Sequence, residues 1–438
     1  MLNKILNFFT SLKLTVACLI MAVVLVFFGT LAQVKLGLYT AQEQYFRSLL
    51  VYWQPEGASW KIPFLPGGWL LGGVLLVNLI AAHIKRFELS RKKIGIFIIH
   101  GGLILLLVGQ FFTELFQVES NMRLEEGESK TYSESSRQSE LAVIDISSPD
   151  HDIVVSFPES MLADKGEIKH PSLPFTLKIR DYAENASPTL GRTAADGALT
   201  SSQGAGTSVG MVREKTTAKM DDRNIPAATV EIVSDQGSVG SWLVSNWLVE
   251  PPLVNIVGRQ FGQKWTDAVN EPQEFKVGDK TYRLVLRPIR YYKDYTVQLL
   301  DFRHDLYIGT DKPKNFSSRV RIQNPKTGED REVLIYMNNP LRYAGETYFQ
   351  ASFEPGDTVT ILQVVRNPAA LTPYISCTVM SVGLIIQFLS HLIKFGRRNS
   401  GQGGGSTPAT SIPPARKSGR TQSSEQEVAA ATTKRRNA

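Results

Sequence analysis

The chain has 438 residues, 43% of them hydrophobic and 20% charged, with a formal net charge of +7 and only two cysteines. These figures exclude a collagen, a disulfide-stapled scaffold and a wholly disordered chain. As averages they describe no part of the chain well, because apolar residues and charges are sorted into blocks.

Four blocks are expected to cross a bilayer, since a hydrocarbon core about 30 Å thick needs roughly 20 helical residues at ~1.5 Å each. Span one is expected at 14–32, where no residue is charged, and span two at 67–84, where Asn78 and His83 are the most polar members. Span three is expected at 94–116, interrupted by His100 and Gln110 with Glu114 near its end. The first run exceeds a signal-peptide core and shows no small-x-small cleavage site, so it is expected as an uncleaved span. Residues 117–372 form the longest polar segment. Eight runs in it alternate or are rich in β-branched and aromatic residues: 175–179, 229–233, 282–286, 296–300, 319–322, 333–337, 348–353 and 358–365. Turn residues such as Asn324 to Gly328 separate them, which predicts a mainly antiparallel β domain. Within it, residues 186–224 are rich in Ala, Gly, Ser and Thr and are expected to be a flexible insertion. Span four is expected at 373–395, and the Gly/Ser/Pro-rich basic tail 396–438 is expected to be disordered. The expected fold class is therefore a membrane protein. It has four transmembrane α-helices, three N-terminal and one C-terminal, with a large exported β-rich domain between spans three and four.

Charge sets the orientation. Segment 1–13 carries Lys4 and Lys13, loop 85–93 carries five basic residues against Glu88, and the tail 394–438 carries nine against Glu425 and Glu427. Segment 117–372 is mildly acidic, with 29 basic and 35 acidic residues. Because Lys and Arg stay on the cytoplasmic side, both termini are expected inside and the β domain outside, in a bacterial inner membrane or, for a plastid protein, a thylakoid membrane. The basic runs are topology determinants. No basic and aromatic surface lies outside them, so no nucleic-acid partner is expected.

The chemistry-bearing residues are sparse. Cys18 and Cys377 both lie in expected spans, so the exported domain has no disulfide and no Cys-x-x-Cys centre, and any thiol chemistry belongs to a partner. There is no phosphate loop, Gly-x-Ser-x-Gly or His-Glu-x-x-His pattern, which argues against an enzyme acting alone. The six histidines divide evenly: His151, His170 and His304 in the polar domain, and His83, His100 and His391 in or at the ends of spans, on the cytoplasmic side. An ionisable residue inside a span is costly and points to function, and neutral imidazole is a frequent haem-iron ligand. His391, followed by Lys394, Arg397 and Arg398, reads most simply as interfacial. His83 and His100 are the candidates for an axial ligand to haem iron. The alternative for His100 is structural, as a hydrogen-bond partner of a neighbouring helix through Asn78. Haem propionates want cations, and Lys85, Arg86, Arg91 and Lys93 offer them beside the imidazoles. Lys93 and His100 are seven residues apart, two turns on one helix face.

The layout resembles the ResB-like family of cytochrome c biogenesis proteins (system II, also called CcsB), over about residues 8–395. The resemblance is carried by Ser11-Leu-Lys-Leu-Thr15 and Gly29-Thr-Leu-Ala-Gln33 around span one, and by His83 ending span two. It continues with Ile94-Gly95 and His100-Gly-Gly-Leu-Ile-Leu-Leu-Leu-Val-Gly109 in span three. Tyr336-Met-Asn-Asn-Pro-Leu-Arg-Tyr-Ala-Gly345, Tyr348-Phe-Gln350 and Leu362-Gln-Val-Val-Arg-Asn-Pro368 complete it. The resemblance implies a subunit of a haem-lyase (cytochrome c synthase) complex that exports haem b and delivers it to apocytochrome c outside. Its implied partners are a CcsA- or ResC-type membrane haem-handling protein, apocytochrome c and a thiol-disulfide reductant system. It also implies that His83 supplies one transmembrane haem ligand, with His100 the alternative. A reading from another class is a membrane scaffold or envelope sensor that binds no haem.

Overall fold

The structure is a computed structural model that describes residues 2–55, 60–85, 93–190, 196–217, 223–309 and 313–401. Arg86, Arg91 and the tail from 402 onward lie outside the described residues.

The chain opens with a short amphipathic helix, α1 (Leu2–Phe9). Ser11 then caps α2 (Leu12–Ala41), its side chain accepting a hydrogen bond from the Lys13 amide. Gly37, at φ 76°, breaks α2 near its end, in a left-handed conformation that glycine adopts without a Cβ penalty. One π-helical turn, Gln42–Phe46, follows. A hairpin of β1 (Leu50–Trp53) and β2 (Ile62–Pro66) leads into α3 (Gly68–Lys85). Val51 and Leu65 of that hairpin join Cys18, Leu25 and Leu71 in one small core. α4 (Ile94–Phe116) and the last helix, α8 (Thr372–Gly401), pack antiparallel. Among the described residues, four helices are long and apolar enough to cross a membrane: Leu12–Phe46, Gly68–Lys85, Ile94–Phe116 and Thr372–Arg397.

The α4–α8 contact is made by small residues. Gly95, Gly102 and Gly109 recur every seven residues on α4 and are all buried. A Cβ on Gly102 would stand 2.6 Å from Met380 Cγ and 3.0 Å from the Ser376 carbonyl oxygen, and one on Gly383 would stand 2.9 Å from the Gly95 carbonyl oxygen. The pair is thus held by close approach of backbone to backbone, the packing that small residues permit between long apolar helices.

Between α4 and α8 lies the β domain. Its strands are β3 (Val118–Glu125), β4 (Ser129–Asp145), β5 (Ile153–Pro158), β6 (Glu167–Ile168), β7 (Phe175–Ala183), β8 (Ala186–Leu190), β9 (Val209–Arg213), β10 (Ala227–Ser234), β11 (Gly237–Ser245), β12 (Glu274–Val277), β13 (Lys280–Leu306), β14 (Pro313–Asn324), β15 (Glu329–Tyr336), β16 (Leu341–Tyr343), β17 (Glu346–Phe353) and β18 (Val359–Arg366). Short helices α5 (Ser160–Ala163), α6 (Pro251–Phe261) and α7 (Gln263–Asn270) interrupt them. Six of the eight runs read as strands fall wholly in strands, the runs 333–337 and 358–365 overrun β15 and β18 by one residue each, and Asn324 to Gly328 forms the β14–β15 turn. The main sheet runs β15-β14-β13-β4-β3-β18-β17-β16, with β5 beside β4 and β12 beside β13. β4 and β13 are long enough to serve two cores. One half of this sheet packs on the sheet β11-β10-β7-β6 around Leu141, Leu177, Ile232, Trp242 and Tyr282. The other half gathers Met122, Leu299, Ile322, Tyr348 and Leu362. Asn367 joins domain to helices: its side chain donates to Gln117 Oε1 at 3.2 Å and pairs with the Thr113 hydroxyl.

Two features depart from the expectation. Residues 186–224 carry the β8–β9 hairpin and a 3₁₀ turn, Gly204–Thr207, and bury Leu199, Ala205, Val209 and Met211 in a third core with Trp265. The small residues that read as a linker are there for close approach: a Cβ on Gly206 would lie 2.6 Å from Leu243 Cβ. Helices α6 and α7 were not foreseen. Their amphipathic faces bury Val257, Trp265 and Ala268 against that same core.

Candidate functional site

Helices α3 and α4 bring His83 and His100 together. His83 is two residues from the end of α3, and Lys93 is the residue before α4 begins. Two turns into α4, His100 reaches the same space as Lys93, as their seven-residue spacing requires. The imidazole centroids of His83 and His100 lie 6.1 Å apart with the rings at 66°. Phe97 and His83 meet edge to face, with ring centroids 4.8 Å apart. With Leu79, Ala82 and Ile96 these residues line a cavity of about 260 Å³. Nδ1 of His83 is buried and has no hydrogen-bond partner among the described residues. An orphaned buried nitrogen in an apolar wall is destabilising unless something else fills its lone pair or takes its proton.

The neighbouring polar groups divide between this cavity and structural roles. Lys85 does not face the imidazoles: it donates to Asn7 Oδ1 at 2.5 Å and to the Thr10 hydroxyl at 3.3 Å, tying α3 to α1. The alternative of Asn78 as partner to His100 is corrected. Asn78 is buried, accepts from the Thr15 hydroxyl at 2.6 Å and donates to the Phe9 carbonyl at 2.6 Å. Five residues before His83, it points roughly 140° away around α3, toward the α1–α2 junction. His391 is exposed and hydrogen-bonds the Gln387 side chain at 2.9 Å, one turn beyond the point where Gln387 meets Gly95. It stands at the same end of the helices as His83 but outside the cavity. Arg86 and Arg91, the expected propionate partners, lie outside the described residues. The sequence reading passed over the apolar lining, Leu79, Ala82, Ile96 and Phe97, of which Phe97 lies against His83. Its signal was position: four residues after Lys93 and three before His100, on their shared face.

Two imidazoles are too few for a closed structural metal site, which takes four protein ligands. Among the described residues no group of three His, Cys, Asp or Glu gathers. Haem iron takes only one or two ligands from protein, and neutral imidazole is a common one. Two histidines, one with an unpartnered nitrogen, beside an apolar wall and a lysine, therefore fit haem better than a bare ion.

The segment 253–361 matches the model of the ResB-like family. A stretch of 101 residues is 28% identical to Protein NrfI of Wolinella succinogenes, covering 23% of this chain and 11% of that protein. The chain thus aligns with about a tenth of that relative's length. The family match begins in α6 and ends within β18, so it lies in the β domain and includes neither α3 nor α4.

Proposed function

Given that the chain belongs to the ResB-like family, we propose that it is a membrane subunit of the system II cytochrome c biogenesis machinery, which exports haem and joins it to apocytochrome c outside. The helices Leu12–Phe46, α3, α4 and α8 cross the inner membrane, with both termini in the cytoplasm and the β domain outside. The basic segments at 1–13, 85–93 and 394–438 support that orientation.

The observation that carries the reading is the shared cavity of His83, His100 and Lys93, where α3 ends and α4 begins. His83 offers an imidazole to the iron from the end of α3, and His100 is the second candidate from α4. Lys93 offers a cation to a propionate, and Arg86 and Arg91, which precede it in the sequence, are the further candidates. Leu79, Ala82, Ile96 and Phe97 give the porphyrin faces an apolar wall. When bound, haem supplies an iron open to axial ligation and two carboxylates that need cations. A CcsA- or ResC-type partner supplies the remaining haem-handling groups, and thioether formation belongs to the complex rather than to this chain. The test is the Soret spectrum of the chain co-purified with its partner. His83→Ala is expected to lower haem content most and His100→Ala to lower it less. Unchanged haem in both variants would show that the cavity holds no haem. Deleting the chain should abolish c-type cytochromes while b-type ones persist, and persistence of both would remove the biogenesis role.

A further inference from the structure

The opposite end of the α3–α4 pair encloses a second and larger cavity, of about 620 Å³, that no step above uses. Its floor is the adjacent pair Gly72-Gly73 on α3. A Cβ on either glycine would meet nothing within 4 Å. One turn earlier, by contrast, a Cβ on Gly68 would stand 2.9 Å from Phe46 Cα. α3 is thus clamped to the π-helical turn at Gly68 and parts from its neighbours at Gly72. Trp69 and Phe111 close one side as an edge-to-face pair at 5.5 Å. The break at Gly37 and the π-turn that follows fold the end of span one across the top, and single π-turns recur at functional sites.

The polar end of this cavity has a distinctive charge. Arg47 pairs with Glu43 at 2.8 Å and also with Glu114, so its cation is already met by two carboxylates. A phosphate or a pair of propionates would face a surface with no spare positive charge. The remaining polar side-chain groups are neutral: the carboxamides of Gln33, Gln42 and Gln110, and the indole N–H of Trp69. None makes a side-chain hydrogen bond to another described residue. Gln110 lies six residues before the end of α4, about 9 Å along the axis and inside the apolar zone. An unmatched amide at that depth is costly, and a ligand carbonyl or hydroxyl would satisfy it.

We infer that this cavity binds a quinone-class lipid: a flat, uncharged ring seated over Gly72-Gly73 beside Trp69 and Phe111, with its oxygens on the carboxamides of Gln42 and Gln110 and its apolar tail leaving toward the lipid. A volume of this size is typical for a small-molecule site with few convergent polar groups. The inference rests on the helices crossing a membrane, as proposed above, but not on haem at His83.

The experiment uses the full chain in phosphatidylcholine nanodiscs with a photoreactive short-tailed ubiquinone analogue, competed with unlabelled decylubiquinone and mapped by peptide mass spectrometry. Saturable labelling confined to peptides around Trp69 and Phe111 is expected. Gly72→Leu should fill the floor and weaken labelling by about tenfold or more. Gln110→Leu, a change that apolar surroundings tolerate, should weaken it without lowering the melting temperature. His83→Ala should leave labelling intact, and Gly72→Leu should leave the haem content of the co-purified complex intact. Unsaturable or dispersed labelling would overturn the inference, as would saturable labelling indifferent to both Gly72→Leu and Gln110→Leu. Displacement of the label by haem, by phosphatidylglycerol or by the co-expressed partner, but not by decylubiquinone, would assign the cavity to an anionic ligand or a partner helix and overturn it equally.

Discussion

Removing the Glu346 carboxylate should destabilise the β domain far more than removing the whole ion pair to which it belongs. Lys293 on β13 has a side chain only 2% exposed, and its ammonium lies 2.9 and 2.7 Å from the two Glu346 oxygens. Tyr295 and Tyr348 also donate to Glu346, at 2.8 and 3.0 Å, and their hydroxyls meet at 2.6 Å. Burial alone would push the Glu346 carboxyl up, but the hydrogen bonds from Lys293 and Tyr295 and the lysine charge hold it below the usual carboxylate range. Burial pushes both phenols well above their ordinary value. Glu346→Ala strands a buried ammonium and two hydroxyls, a loss of about 3–5 kcal/mol for a broken buried pair. At roughly 2–4 °C per kcal/mol for a domain of this size, the melting temperature should fall by about 6–20 °C. Lys293→Met with Glu346→Leu should recover most of that, because apolar groups replacing both partners avoid the stranded charge. The pH sign follows from the depressed carboxyl. Its stabilisation is present above the unfolded value of about 4.3 and is lost as pH falls through the folded value. Glu346→Gln should flatten that acid limb. The assay is thermal melting of the detergent-purified chain by near-ultraviolet circular dichroism, across pH. A single variant no less stable than the double variant would refute the reasoning.

At the α4–α8 contact, Gly102→Leu should cost about 1–3 kcal/mol as an overpacked interface, whereas Gly101→Leu, whose Cβ meets nothing within 4 Å, should change the melting temperature little. Asn78→Leu removes the acceptor of the Thr15 hydroxyl and the donor to the Phe9 carbonyl. Its expected cost is about 1–3 kcal/mol, seen as faster proteolysis at the α1–α2 junction. Hydrogen bonds from Lys280 and Ser147 push the Asp145 carboxyl down to about 2. Its contribution to stability is therefore present above about pH 4 and lost as pH falls toward the folded value, and Asp145→Asn should show no such loss in acid melts.

The four long apolar helices and the strand runs were legible because each is set by residues close in sequence: a continuous apolar run, or alternation between turn residues. That Lys93 and His100 share one face was legible for the same reason, since one helix sets the spacing of both. Contacts between distant segments were not legible. Gly95, Gly102 and Gly109 show a seven-residue spacing in the sequence, but their partners Gln387, Met380 and Thr372 lie far along the chain, across the whole β domain. The small residues of 186–224 carry no apolar periodicity, so nothing local marks them as a packed core. Asn78 read as a partner of His100, and its bonds to Thr15 and Phe9 join segments more than sixty residues apart.

The glycine spacing on α4 also bears on both cavities. α4 uses its small residues on the face toward α8, where backbone meets backbone. Toward α3 it presents larger side chains: Phe97 and His100 at one end, Leu107 and Phe111 at the other. Large side chains hold two helices apart, and α3 supplies small residues at both levels, Ala82 beside His83 and Gly72-Gly73 beside Trp69. The result is a pair of helices in contact along part of its length with a cavity at each end. A sequence that placed the glycines of α4 on its other face would close both cavities. The face that α4 commits to α8 is therefore what leaves His83 and His100 a space to share.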